Sequence, residues 1–295
     1  MMKIKNIRDY MLNNVASFIS DEFFLKIAYR LKLGKSLNVI DPQTFTEKLQ
    51  WSKLNHRDEL LTKCCDKYLV RDYVADRIGS EYLIPLIGYY SLFDDIDFSN
   101  LPSKFVVKGV HGSGMNYIVH DSKSIDYKQM RSDFKRWLSF NQFYHSREWQ
   151  YKNVRPGIVI EKMLLDDEGN IPNDIKIHCF RDQDGNVKNI LQIDADRFGE
   201  HKQNYYDSEW NILDLSFTNN NFKVTPSQKP VPRPKNLDEM LRIATKLSED
   251  FPYVRVDLFT VGSKIYFGEL TFHHQSGLTK PSGDWDVKLG EMLHF

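Results

Sequence analysis

The sequence predicts an α+β fold in which a helical amino-terminal region precedes two lobes of mixed strand and helix. Three observations predict it. Residues 1 to 80 carry helical spacing and no strong strand run. From residue 100 onward, short β-rich runs recur between turn residues. A glycine-rich loop with a strand on each side is separated from the later strands by a helical stretch near 130 to 140. That separation predicts two lobes facing each other.

The elements follow in order. Phe23, Phe24, Ile27, Ala28 and Leu31 fall at helical spacing. Thr44 followed by Glu47 predicts a capping box opening a helix through Leu54. A third helix is expected from about Leu60 to Ile78, stopped by Gly79. Tyr82 to Tyr90 reads as extended, interrupted by Pro85. Phe105-Val106-Val107 and Tyr117-Ile118-Val119 read as strands around the glycine loop, and Tyr127 to Phe140 as a helix. Strands are expected at Gly157–Leu165, Ile175–Phe180, Val187–Asp194, Val254–Phe259 and Ile265–Thr271, with Asp184-Gly185 turning the second into the third. Pro226 to Pro234 reads as a connector. Asn236 with Glu239 caps a last helix whose apolar face is Leu237, Leu241, Ala244 and Leu247.

Composition narrows the function. Lys plus Arg total 40 and Asp plus Glu total 40 in 295 residues, so the formal charge is zero. That balance argues against a general nucleic-acid binder, which needs a cationic excess. Three cysteines, two of them adjacent, argue against a disulfide framework. The first twenty residues intersperse charges among apolar residues, unlike a signal peptide, and no run of apolar residues is long enough for a membrane span. A cytoplasmic protein, with any membrane contact peripheral, is expected.

The sharpest chemical feature is the last hairpin. Alternation puts Arg255, Asp257 and Phe259 on one face, and likewise Phe267, Glu269 and Thr271. A three-residue loop, Gly262-Ser263-Lys264, sets Asp257 opposite Glu269 and Arg255 opposite Thr271. A two-residue turn would need a bulge to keep that register. Opposed carboxylates repel unless a cation lies between them. Such an oxygen pair suits magnesium, with an arginine beside it to clamp a phosphate. A solvent-facing charged strand is the competing reading.

Three further segments carry weaker signals. In Lys108-Gly109-Val110-His111-Gly112-Ser113-Gly114 the glycines let backbone N–H groups approach a phosphate, although a plain tight turn explains them too. The spacing is neither that of a Walker loop nor of a Rossmann fingerprint. Glu161-Lys162 interrupts an apolar strand, where the Glu accepts from an exocyclic amine or closes an edge-strand salt bridge. Asp174-Ile175-Lys176 and Asp194-Ala195-Asp196-Arg197 place Lys176 and Arg197 where they reach anionic groups or are ordinary surface charge. The Asp-x-Asp matches at 95–97 and 194–196 are too short to be specific, and His178, Cys179, His273 and His274 lack zinc-ligand spacing.

Taken in this order, the pieces resemble an ATP-grasp enzyme, and the pattern over nearly the whole chain is similar to the TupA-like ATP-grasp family. Thr44-Phe45-Thr46-Glu47-Lys48, Ile78 to Pro85 and Asp66-Lys67-Tyr68-Leu69-Val70-Arg71 belong to the resemblance. It implies two α+β lobes clamping ATP. It divides the chain into a helical region (1–60), the first part of the ATP-grasp unit (61–100), a Gly-loop lobe (101–156) and a carboxyl-terminal lobe with the metal site (157–295). Arg71, Lys108, the lid loop with His111, Gly112, Ser113 and Gly114, the hinge residues Glu161, Lys162 and Leu164, and Asp174 are implied to bind ATP. Asp257, Glu269 and Thr271 are implied to hold Mg2+, with Thr271 where the motif carries Asn. Arg255, Lys176 and Arg197 are implied to be catalytic, and His273, Ser276 and Gly277 to contact substrate, with Ser276 where the motif carries proline.

The implied reaction is ATP-dependent joining of a carboxylate, such as a uronic acid, to an amine or amino acid in capsule or exopolysaccharide synthesis. A phosphotransferase acting on a sugar hydroxyl shares the same ATP site and competes. A glycosyltransferase rests only on the Asp-x-Asp matches.

Overall fold

The structure is a computed structural model. It describes residues 18–172, 174–195, 202–219, 222–223, 225–226 and 230–295. The helices are α1 (Asp21–Leu33), α2 (Phe45–Asn55), α3 (Glu59–Cys65), α4 (Val70–Ile78), α5 (Tyr127–Leu138), α6 (Gln142–Ser146), α7 (Leu237–Leu247) and α8 (Trp285–Met292). The longer strands are β1 (Leu86–Tyr90), β2 (Phe105–Gly109), β3 (Asn116–Val119), β4 (Ile158–Lys162), β5 (Asp174–Arg181), β6 (Val187–Ala195) and β7 (Lys202–Tyr206). Short strands β8 (Ile212–Leu213), β9 (Phe217–Asn219), β10 (Phe222–Lys223) and β11 (Thr225–Pro226) precede the hairpin β12 (Tyr253–Val261) and β13 (Lys264–Thr271), and β14 (Lys280–Pro281) follows it.

Two sheets dominate. The smaller has the order β1-β4-β2-β3, with every pair antiparallel. Strand β4, which the sequence division groups with the carboxyl-terminal lobe, thus pairs with the strands on either side of the glycine loop. Phe105, Val107, Ile158 and Ile160 pack against Met130 and Phe134 of α5. By alternation, Val106, Lys108 and Glu161 lie on the opposite face. The larger sheet runs β11-β7-β6-β5-β12-β13, with β8 beside β7. Ile175, Ile177, Leu191, Val254, Val256 and Leu258 pack against Leu237, Met240, Ile243, Ala244 and Leu247 of α7 and Val70 and Val74 of α4. Lys176, Arg255 and Asp257 therefore lie on the face turned away from those helices. The face that carries Lys176, Arg255 and Asp257 also holds Phe180, Ile190, Tyr205 and Tyr253, which pack against Phe45 and Leu49 of α2 and Leu289 and Leu293 of α8, so the charged residues occupy one part of that face.

The capping box at Thr44 and Glu47 is present. Three local expectations change. The helix expected over 60–78 is broken: Asp66 is extended, and its Oδ1 accepts from the N–H groups of Tyr68 (2.7 Å) and Leu69 (3.1 Å). Asn236 makes no side-chain cap, and Glu239 pairs with Arg242 and accepts from Tyr82 Oη at 2.7 Å. In α1 the buried residues are Leu25 and Tyr29, leaving Phe23, Ile27 and Leu31 exposed. The orientation is set at its start, where Arg147 pairs with Asp21 at 3.1 Å and stacks 4.5 Å over the Phe24 ring.

Candidate active site

The last hairpin turns differently from expectation and reaches the same register. Its loop has two residues: Val261 pairs with Lys264, and Leu258 pairs with Phe267. That register alone would set Asp257 against Gly268 and turn Glu269 to the far face. A bulge at Gly268 inserts one residue, so Asp257 lies opposite Glu269 and Arg255 opposite Thr271. A Cβ on Gly268 would sit 2.9 Å from the Asp257 carbonyl oxygen, which is why glycine occupies the bulge.

Asp257 and Glu269 line a cavity of about 510 Å3 between the two sheets. Lys108, Ser113, Gly114, Glu161, Lys162, Leu164 and Asp174 line it too. Ile84, Val106, Ile118, Met163, Ile171, Pro172 and Phe259 give it apolar walls. A cleft of this size, apolar with a few convergent charges, is typical of a small-molecule site.

Lys67 also lines the cavity and was not among the residues singled out from the sequence. The break at Asp66 carries it there, and its Nζ donates to the Gly112 carbonyl at 2.7 Å. The only sequence signal was its place in the Asp66-Lys67 segment. Burial lowers the affinity of Lys67 for its proton and the nearby Glu269 works against that.

The charges are organised in pairs. Glu161 takes Lys108 at 2.7 Å on one oxygen and Arg71 at 3.1 Å on the other, so it closes a salt bridge as expected, but on an interior strand, paired with β1 and β2, rather than on an edge strand. The Arg255 guanidinium forks onto Asp257, both contacts at 2.7 Å, and reaches Glu269 at 3.2 Å. Its third nitrogen meets His274 Nδ1 at 3.0 Å. The bidentate clamp expected on a phosphate is thus made to Asp257. Lys176, opposite Asp257 in register, pairs with Asp174 and with Asp194 at 2.6 Å. Thr271 Oγ1 donates to Glu269 at 3.4 Å. Arg71, Lys176, Arg255 and Thr271 do not line the cavity themselves; each touches a carboxylate that does.

Burial pushes Asp257 up to about 7; the Arg255 fork opposes this, and the Glu269 charge adds to it. Glu269 has an exposed rim and goes the other way. Burial resists its ionisation, but the Lys67, Arg255 and Lys108 cations hold it below the usual carboxylate range. Asp194 is buried, yet Lys176 and the Gln192 and Gln203 amides bring it down to about 2.

Other expected residues lie elsewhere. His111 is buried and turns to the Trp137 carbonyl at 2.8 Å, behind the glycine loop. Gly112 presents its carbonyl to Lys67. His273 is buried between Ser52 and Gln150, at 3.0 and 3.1 Å. Ser276, at φ 56, and Gly277, at φ 61, form a turn held by α2. Lys53 donates to the Ser276 carbonyl and hydroxyl, both at 2.8 Å, and Gln50 to the Gly277 carbonyl at 2.9 Å. None of these residues, from His111 to Gly277, lines the cavity. Arg197 lies outside the described residues.

A magnesium ion fits this donor set. Among the described residues no group of three or more His, Cys, Asp or Glu side chains is gathered for a metal. Two opposed carboxylates, one of them resisting ionisation because it is buried, match an ion that takes its remaining ligands from phosphate and water.

A family model described as TupA-like ATPgrasp matches residues 47–294. No curated protein matches the sequence. Among solved structures, the chain is similar to D-alanine–D-alanine ligase from Bacillus anthracis, with 16% identity, 72% of this chain and 58% of that one covered, and a TM-score of 0.40. It is similar to phosphoribosylamine–glycine ligase from Thermotoga maritima, with 11% identity, 72% and 48% covered, and a TM-score of 0.43. It is also similar to N5-carboxyaminoimidazole ribonucleotide synthetase from Thermus thermophilus, with 12% identity, 71% and 45% covered, and a TM-score of 0.39. The chain spans less than two thirds of the length of each of these structures.

Proposed function

The chain belongs to the TupA-like ATP-grasp family, and on that premise we propose that it is an ATP-dependent carboxylate–amine ligase acting through an acyl phosphate. The pair it joins is a uronic acid and an amine or amino acid, in the cytoplasmic synthesis of capsule or exopolysaccharide. The observation that carries the reading is the convergence of Asp257 and Glu269, through the Gly268 bulge, on a cleft whose opposite wall holds Lys108.

A carboxylate is a poor acyl donor because its leaving group would be oxide. Transfer of a phosphoryl group makes it reactive toward an amine, and the protein has to position the partners and stabilise charge. In this reading the base lies between Val106, Ile118 and Leu164, and the triphosphate runs toward Lys67 and Lys108. Lys108 exchanges Glu161 for phosphate, while Arg71 keeps that carboxylate compensated. Asp257 and Glu269 would hold Mg2+, which supplies charge neutralisation at the β- and γ-phosphates. Arg255 orients Asp257, and Lys176 lends positive charge from behind it. Ser113 and Gly114 close over the phosphates.

The test has two steps. Mg–ATP should raise the melting temperature, since a ligand that binds only the folded state stabilises it. Stabilisation by a nucleotide sugar and none by Mg–ATP would overturn the assignment. Phosphate release across a panel of uronic acids and amino acids, with mass spectrometry, should then show an amide; a phosphate ester would make the protein a phosphotransferase.

A further inference from the structure

Two adjacent histidines follow the strand that carries Glu269, and they go to different partners. His273 is held by Ser52 and Gln150. His274 turns to the large sheet, where its Nδ1 lies 3.0 Å from Arg255 Nη1. It is 1% exposed.

The direction of that contact is fixed by chemistry. A guanidinium only donates, so His274 Nδ1 accepts and carries no proton. In the neutral ring the proton is then on Nε2, which is buried and has no hydrogen-bond partner among the described residues. The ring stands edge to face with His178 at 4.8 Å and with Phe217 at 4.7 Å. An unpaired buried N–H costs stability. A whole imidazole is thus buried for one hydrogen bond, the one Nδ1 accepts from Arg255. Burial above all holds His274 well below the ordinary histidine range, and an imidazolium would have no lone pair to offer.

The backbone beyond His274 is strained. Gln275, Ser276 and Gly277 stand at φ 49, 56 and 61. Two of them are not glycine, and such a conformation persists only where the surroundings enforce it. Gln50 and Lys53 of α2 do so by donating to the Ser276 and Gly277 carbonyl oxygens. His178, opposite Arg255 in register, is already engaged: its Nδ1 meets Tyr253 Oη at 2.9 Å and its Nε2 meets Gln192 Oε1 at 3.3 Å.

We infer that His274 is the positioning residue for Arg255, and through Arg255 for the Asp257 and Glu269 pair. The fork onto Asp257 uses Nε and Nη2 of Arg255. On those contacts alone the guanidinium would follow Asp257 wherever it moved. A neutral acceptor on the third nitrogen fixes the guanidinium plane and keeps its hold when a cation draws the two carboxylates toward itself. A carboxylate in its place would compete with Asp257 for the fork. This deepens the ligase reading and rests on it, since it takes Asp257 and Glu269 as the magnesium ligands.

The test is calorimetric titration of the full chain with ATP, in the presence and absence of Mg2+. His274→Phe keeps a ring and removes the acceptor, whereas His274→Asn puts an amide oxygen near the place of Nδ1. With Mg2+ present, the ATP affinity of His274→Phe should fall by roughly tenfold, the scale of one hydrogen bond to a charged group, and His274→Asn should recover most of it. Without Mg2+ the unsubstituted chain and both variants should bind ATP alike. An equal loss with and without Mg2+ would show a merely structural role and overturn the inference. So would unchanged Mg–ATP affinity in His274→Phe, or a loss in His274→Asn as deep as in His274→Phe. If His274→Phe does not fold, His274→Asn decides, since the inference requires it to bind Mg–ATP like the unsubstituted chain. Heteronuclear NMR of the unsubstituted chain should show His274 as the Nε2–H tautomer near neutral pH, and a proton on Nδ1 also overturns the inference. Failure of the unsubstituted chain to bind Mg–ATP would bring down the ligase reading and this inference together; once it binds, the other outcomes concern His274 alone.

Discussion

The bulge at Gly268 can be tested by substitution. A Cβ added there would lie 2.9 Å from the Asp257 carbonyl oxygen and 2.9 Å from Cε2 of Phe259. The ring can swing, but the carbonyl belongs to the paired strand and cannot yield alone. Gly268→Ala should therefore shift the backbone at the point that brings Asp257 and Glu269 together. Overpacking of this kind costs about 1–3 kcal/mol, read as a lower urea midpoint at constant slope. Because the shift acts on the two carboxylates, Mg–ATP affinity by calorimetry should fall by about tenfold or more, the effect of about 1.4 kcal/mol. Gly262→Ala is the control. Gly262 has φ 59 and nothing within 4 Å of an added Cβ, so it costs about 1–2 kcal/mol of backbone strain at the far end of the hairpin. It should lose stability and keep Mg–ATP affinity. A Gly268→Ala protein that binds Mg–ATP as well as Gly262→Ala does would refute the link between bulge and site.

Three further outcomes are expected. Glu269→Gln, which keeps size and removes charge, should lower turnover by roughly 100-fold with the fold intact; near-normal phosphate release would remove Glu269 from the machinery. Since burial pushes Asp257 up to about 7, its protonated form is favoured only below that pH in the free protein. The stability it contributes is complete below the ordinary carboxylate range and is lost as pH rises through about 7, whereas cation binding needs the ionised form. Mg–ATP affinity should therefore fall by up to about tenfold per pH unit below 7 and level off above it, with proton uptake or release visible in buffers of differing ionisation enthalpy; a flat profile from pH 6 to 8 would exclude Asp257 as the titrating ligand. Lys176→Met should leave Asp174 and Asp194 buried beside each other without their shared cation. Loss of one member of a buried ion pair costs about 3–5 kcal/mol, and adding Asp194→Asn should recover part of it in urea unfolding.

Local order was legible where it depends on nearby residues. The capping box at Thr44, the Asp184-Gly185 turn and the alternation in both sheets are written in neighbouring positions, because turn chemistry and side-chain period act over a few residues. The opposition of Asp257 and Glu269 was legible for the same reason, since both stand in one hairpin. The route to it was not: a two-residue turn plus a bulge gives the same pairing as a three-residue loop, and only the closeness of Gly268 to the Asp257 carbonyl distinguishes them.

The membership of the site was decided elsewhere. Glu161 meets Lys108 across 53 positions and Arg71 across 90, so no local pattern could say that both hold it. Lys67 enters the cleft because Asp66 breaks a helix whose apolar spacing runs on through the break. His273 and the Ser276-Gly277 turn are claimed by α2, more than 220 positions away in sequence, and so stand outside the cavity. By itself the sequence determined the fold class, the family and the pair of opposed carboxylates, all carried by short-range patterns. Only the tertiary structure decided which cation faces which carboxylate and which polar side chains reach the cleft, because those contacts form when elements distant in sequence pack together and water is excluded between them.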